Sequence, residues 1–524
     1  FNDPNCGQLR KIIYKKIRKH FQFINEKLLF ADVGHPTIFS LNVYSNQETQ
    51  AFDCIFNLFD PNTIEQCYGF DDIECSVPGI KDENNNWNTK GHIDRIIPVD
   101  ESVLKIFSKV FDGSDDYCCA RLPSIHCIQL IDVLKCFEEQ KEIIRNSSKV
   151  NHPEFMWHET YAATDGTIKR SSTFAKSIEQ LIITGPNIGL ANPVYKGSRA
   201  ISNSKGDFDK IDLDIIPDNF IQRCNYVPAC SSDEYSSRVP ETKWGDKYTS
   251  YYRLVGRKML NLKQERTMMV TILPPFAGHI HGITGIAIKD MNLLAQIAGS
   301  CASLPFDYFI KAMGKTNLLL DNLGSLPILK GNYLNEIIAR SLSLNCVTSF
   351  YSELWSKVFT EQFTNINWSK ESSLLKKDYF NLLTKKWCHT SCLRTDYERR
   401  QALVELDVLV SMSLGMSLNM LETIYNIQFP ILKMYEDDTW YDSKGRIVFT
   451  NNRGLTDVGL ERNEWDQIKD KQIGTFTKKF IDDTLPSGPV ERTIEYVAPF
   501  TKCNRVEDYR TAWDFFSKKY GEGI

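Results

Sequence analysis

Between residues 151 and 330 apolar residues come in short runs cut by glycine and proline, as in "QLIITGPNIGL" (180–190) and "TMMVTILPPFAGHIHGITGIAI" (267–288). A helix needs about ten residues free of such breakers, whereas short strands tolerate them at their ends. An all-helical chain is therefore excluded. The flanks carry helical spacing instead, in "SIHCIQLIDVLKCFEEQKEIIR" (124–145), "LNEIIARSLSLN" (334–345) and "ERRQALVELDVLVSMSLGMSLNMLETIY" (398–425). The expected class is α+β, a chain of several regions in which a β-rich part is flanked by helical segments.

Finer expectations follow from the same patterns. Residues 8–30 have helical spacing and lead into strands in "FADVGHPTIFSLNVYS", while "MNLLAQIAGSCASLPFDYFIKAMG" (291–314) reads as a buried helix broken near Pro305. Asn-rich residues 79–92 read as an exposed loop, and turn signals at "YDSKGR", "NNRGL" and "LPSGP" predict a small, irregular closing region. At 524 residues the chain is long enough for two to four domains. The expected regions are 1–150, 151–330, 331–428 and 429–524.

An apolar share of 42% and a charged share of 24% are ordinary for a globular protein, and no apolar run approaches the roughly 18 residues of a spanning helix. The expectation is a cytoplasmic protein with no membrane partner. Its 15 scattered cysteines suit free thiols in a reducing compartment. A net charge of −4 leaves nucleic-acid binding to local basic patches. The opening "FNDPNCGQLRKIIYKKIRKHFQF" is no secretory signal, and a first residue other than Met suggests a fragment.

"NPVY" (192–195) resembles the target-amine loop of an amino-group DNA methyltransferase, in which an Asn side chain and a backbone carbonyl accept hydrogen bonds from the flipped base and an aromatic ring stacks on it. That loop carries a second proline where this chain has Val194, and no strand, glycine turn and helix precede it to hold a methyl donor. A turn braced by Pro193 is the expected reading.

Longer stretches bear a different likeness. "NPVYKGSRAISNSKGDFDKIDLDIIPDNFIQRCNYVPAC", "TSYYRLVGRKMLNLKQERTMMVTILPPFAGHIHGITGIAI", "CASLPFDYFIKAMGKTNLLLDNLGSLPIL", the 399–462 stretch containing "YDSKGRIVFTNNRGL", and "DDTLPSGPVERTIEYVAPFTKCNRVEDYRTAWDFF" follow in order. This series resembles the target-recognition half of large Eco57I-type restriction-modification methyltransferases, relatives of which serve bacterial phage defence. The likeness covers most of residues 151–524. It also makes "FQFINEKLLFADVGHPTIFSLNVY" look like the closing strands of such a catalytic core, within a 1–150 remnant with a helical extension. It implies double-stranded DNA as partner, S-adenosylmethionine as cofactor of an intact N6-adenine methyltransferase rather than of this chain, and catalytic motifs lying upstream.

DNA recognition needs cations for phosphates and forked or amide side chains for base edges. The candidates are Asn192, Tyr195, Lys196, Arg199, Lys205 and Lys210 around the NPVY turn; Arg253, Arg257, Lys258, Lys263 and Arg266, the first two on one face of an expected helix; and His279 and His281, alternating along a strand. The histidine pair has no third ligand nearby, and Cys388, His389 and Cys392 of "WCHTSC" have no second pair, so neither makes a zinc site. The acids of "YEDDTWYD" and "IDDT" lack nuclease spacing and read as surface turns; "TYAATDGTIKRSS" has no histidine for nucleophilic hydrolysis. The alternative function is a protein-interaction module that docks a helicase or nuclease of a defence complex through the C-terminal helices and "WYDSKGRIVF".

Overall fold

A helix over Gly7–Ile13 gives way to a strand, β1 (Ile17–Ile24), where the spacing had predicted a helix running on to residue 30. The side chains explain the change. β1 is an interior strand whose polar His20 and Gln22 are as buried as Phe21 and Phe23, and a strand alone puts these pairs on opposite faces. His20 Nδ1 meets Asn42 Oδ1 at 2.7 Å, and Gln22 accepts a bond from Ser124 Oγ at 2.7 Å. β2 (Ile38–Tyr44) pairs antiparallel with β1, β3 (Phe52–Leu58) runs parallel to it, and β4 (Ile97–Val99) closes a sheet of order β2-β1-β3-β4.

The computed structural model describes residues 1, 3–35, 37–70, 76–151, 156–204, 206–261 and 264–521. Its class is α+β, with helices and several small sheets. Two four-stranded sheets occupy the middle of the chain. One orders Val270–Leu273, Arg253–Arg257, Ile283–Ile288 and Val150–Asn151; the other orders Gly278–His279, Ile182–Ile183, Arg223–Pro228 and Ile168–Phe174. The expected helix carrying Arg253 and Arg257 is thus a strand. Its residues Leu254 and Val255 are both fully buried, as a strand between two neighbours demands.

The helix broken near Pro305 is present as Met291–Cys301 and Leu304–Ala312, bent by 72° with Pro305 in the first turn of the second piece. No single helix among the described residues is long and apolar enough to cross a membrane. Residues 359–395 form turns and single 3-10 turns rather than continuing the helical pattern. One continuous cluster of buried apolar side chains extends from Tyr14 to Phe516 and so joins all four sequence regions.

Within that core the helices Leu334–Asn345, Asp396–Ser413 and Arg505–Tyr520 are tied by buried charge. Arg340 Nε donates to Glu405 at 2.7 Å and Nη1 to Glu336 at 2.5 Å, all three side chains being wholly buried. Asp407, also wholly buried, accepts from Leu304 N at 2.6 Å, Arg505 Nη2 at 2.8 Å and Tyr509 Oη at 2.6 Å. The closing region holds a small sheet of Trp440–Tyr441, Ile447–Phe449 and Thr501–Lys502, and a two-stranded ribbon of Thr475–Asp482 with Val490–Val497.

Candidate nucleic-acid interface

Asn192 Oδ1 accepts the Val194 N–H at 3.1 Å, and the Pro193 carbonyl accepts from Gln222 Nε2 at 3.1 Å. The two acceptors that a target-amine loop would offer are therefore both engaged, one within the turn and one by the distant Gln222. The cavity beside Asn192 measures about 100 Å³, well below the roughly 300 Å³ at which small-molecule sites begin. Its lining is filled by ion pairs: Arg446 spans Asp212 at 2.8 Å and Asp214 at 2.7 Å, and Arg492 spans Asp212 at 2.9 Å and Asp482 at 2.6 Å. These residues do not fit a methyl donor.

Tyr195 packs its ring on Gly189, where a Cβ would lie 2.8 Å from Tyr195 Cγ. Arg257 lies 5.9 Å from the ring centroid and donates to the Ile188 carbonyl, at 2.6 Å from Nη2; Lys196 lies 5.5 Å from the ring and donates to the Gly454 carbonyl at 2.6 Å. Burial, with Arg257 adding to it, lowers the Lys196 pKa. This trio is a half-buried brace between the 185–195 loop and the closing region. Gly189→Ala forces the ring aside and should cost about 1–3 kcal/mol, measured by urea unfolding.

Several sequence candidates do not reach the surface. Arg253 is 0% exposed, its guanidinium spent on the carbonyls of Tyr251, Pro274 and Ala277. Arg266 is buried 3.7 Å from Asp407. His279 is buried, with Nδ1 3.0 Å from the Ile280 carbonyl and Nε2 3.3 Å from Tyr248 Oη, so it does not share a surface with His281. Alternating residues face the same way only while the strand lasts, and this one ends at His279. Arg199 forks onto Asp209 at 2.7 and 2.9 Å, and Lys210 pairs with Asp396, which neutralises both locally. Lys205 and Lys263 lie outside the described residues.

Lys258 and His281 are brought together. Arg257 ends its strand and turns to the Tyr195 brace, whereas Lys258, just past the strand, reaches His281 Nε2. The His158 ring lies 5.3 Å from that of His281, and the Tyr161 ring 4.6 Å from that of His158. Burial first, then Lys258 and His158, lower the His281 pKa, while Glu159 works against them. Tyr161 is 71% exposed. The edge strand that follows this helix carries exposed Lys169 and Arg170 on opposite faces, Arg170 donating to the Ser202 carbonyl, and Lys176 comes after it. His158 and Tyr161 were missed in the sequence, although "WHETY" places them three apart, one helical turn.

The other motifs are structural. Glu436 of "YEDDTWYD" binds Arg400 and Arg505, Asp442 accepts three backbone N–H groups, and Asp482 and Asp483 of "IDDT" bind Arg492 and Arg223. His389 pairs with Asp218 at 2.7 Å while Cys392 is buried. No cluster of three or more potential metal ligands occurs among the described residues. The "WYDSKGRIVF" segment is turned inward, with Tyr441, Ile447, Val448 and Phe449 all buried, and presents little for a partner protein. No family model and no curated protein matches the chain.

Proposed function

We propose that this chain is the DNA-recognition portion of a site-specific N6-adenine DNA methyltransferase of the restriction-modification or phage-defence kind, cytoplasmic, with methyl transfer from S-adenosylmethionine performed by machinery it does not itself carry. The observation that carries the reading is the group formed by half-buried Lys258 and His281 with exposed His158 and Tyr161, with exposed Lys169 and Arg170 on the strand that follows the Tyr161 helix. Cations for phosphates and an accessible aromatic ring for a base or sugar are what a duplex-gripping surface requires. The engaged acceptors of Asn192 and Pro193 favour recognition over catalysis within this segment.

Fluorescence anisotropy with a labelled duplex tests it. Binding should weaken linearly in log–log form as salt rises, because phosphate contacts release counterions; absence of affinity even at low salt defeats the reading and leaves the alternative, docking of defence-complex proteins. His281 adds a pH dependence. His281 has a lowered pKa, so it takes up its proton only below the ordinary range near 6.5, and only the protonated ring attracts phosphate. Affinity should therefore rise only as pH falls below about 6.5, and His281→Gln should flatten the rise.

A further inference from the structure

Ten of the 22 large apolar side chains that stand exposed among the described residues lie between Leu9 and Tyr44. Their centre is β2, "IFSLNVY", which contains no charge, proline or glycine. Ile38 and Tyr44 are about half exposed on one face of the strand, and Leu41 and Val43 are similarly exposed on the other. β2 pairs with β1 along one edge and with no described strand along the other. Folded proteins protect such an edge with lysine, proline, a bulge or a covering element, because its unpaired N–H and C=O groups template another strand. β2 itself carries none of these. At its Tyr44 end, a groove lined by Ile12, Ile13, Lys16 and Tyr44 lies beside Lys15 and Arg18. Among the described residues Arg18 donates to the Gln47 and Glu48 carbonyls and to no carboxylate.

We propose that the free edge of β2 is a docking site for an edge strand of a separate α/β body, apolar on both faces and acidic where it meets Lys15, Lys16 and Arg18. A strand supplies the missing hydrogen-bond ladder. Apolar residues on both faces of β2 call for a partner strand that is apolar on both of its own faces, as strands of helix-flanked sheets are, because cross-strand neighbours cover one another. A second copy of this chain fits less well. Its β2 strand carries no acidic residue to meet Lys15, Lys16 and Arg18. The lysine-rich end selects for acid, since exposed Glu48 is outnumbered there.

A fluorescein-labelled peptide, Glu-Glu-Thr-Val-Ile-Val-Ile-Val-Thr, serves as probe for the intact chain. Anisotropy should show saturable binding, weakened at least about tenfold by Leu41→Lys, which puts a charge on the docking face, and several-fold by Lys15→Glu with Lys16→Glu. Amide exchange should slow in β2 on peptide addition. Both variants change exposed side chains, and their thermal melts should match the parent. The proposal is overturned if the peptide does not bind up to millimolar concentration, if Leu41→Lys binds as the parent does, or if protection appears elsewhere. It is equally overturned if sedimentation shows a dimer of the parent that Leu41→Lys dissolves, since the occupant would then be a second copy. No DNA enters the test, so its outcome is separable from that of the recognition reading.

Discussion

Arg340→Met is expected to lower the unfolding free energy by at least about 3 kcal/mol, the cost of leaving buried carboxylates without their cation. Arg340 lies between Glu336 and Glu405 with no solvent contact, and its Nη2 also donates to the Asn367 carbonyl at 3.2 Å. Burial pushes the Glu336 carboxyl up, but Arg340 and Lys519 more than reverse this and hold it below the ordinary carboxylate range. A depressed folded pKa contributes stability that is present above the unfolded value of about 4.3 and is lost as pH falls through the folded one. The variant should therefore lose most stability near neutral pH and progressively less at acid pH. Urea unfolding at pH 7 and at pH 4 measures both; a loss under about 1 kcal/mol at pH 7 would contradict a charge-locked core. Methionine preserves much of the side-chain volume, so the loss reports charge rather than a cavity.

The second large effect concerns DNA. Lys258→Glu should weaken duplex binding by about tenfold or more at low salt, because it removes one phosphate cation and adds a repelling carboxylate beside His281. Lys258→Ala is the sharper diagnostic: affinity should fall alike for all duplex sequences, and the salt slope should shrink by about 1. Arg253→Met provides the contrast. Arg253 is held in the interior by three carbonyls and the Tyr248 ring, so this change should reduce stability while leaving the salt slope unaltered. A slope change from Arg253→Met, or none from Lys258→Ala, would remove the surface group from the binding reaction.

The behaviour of arginine shows why candidate residues were only partly legible. In "YYRLVGRKMLNLKQER" the composition looks like a basic helix, and nothing local says that carbonyls from the 274–277 turn will close around Arg253. A buried guanidinium is stabilised by distant backbone acceptors, and those partners are invisible to spacing. Arg257 and Lys258 are neighbours in sequence yet serve different places, since the strand ends between them. The cationic count was right as composition and misleading as a surface: Arg199, Lys210, Arg223 and Arg446 are each neutralised by an aspartate from elsewhere in the chain or the same turn.

What the amino-acid order determined on its own was local: the α+β class, the turn at Asn192–Pro193, and the bend before Pro305, because glycine, proline and short-range side-chain bonds act within a few residues. Only the tertiary structure decided that residues 17–24 are a strand buried on both faces, that Asn192 is closed upon itself, that His158 and Tyr161 join Lys258 and His281, and that β2 keeps an open edge. Each of these depends on contacts between residues far apart in the chain, where strand pairing and burial outweigh the modest free energies of local preference.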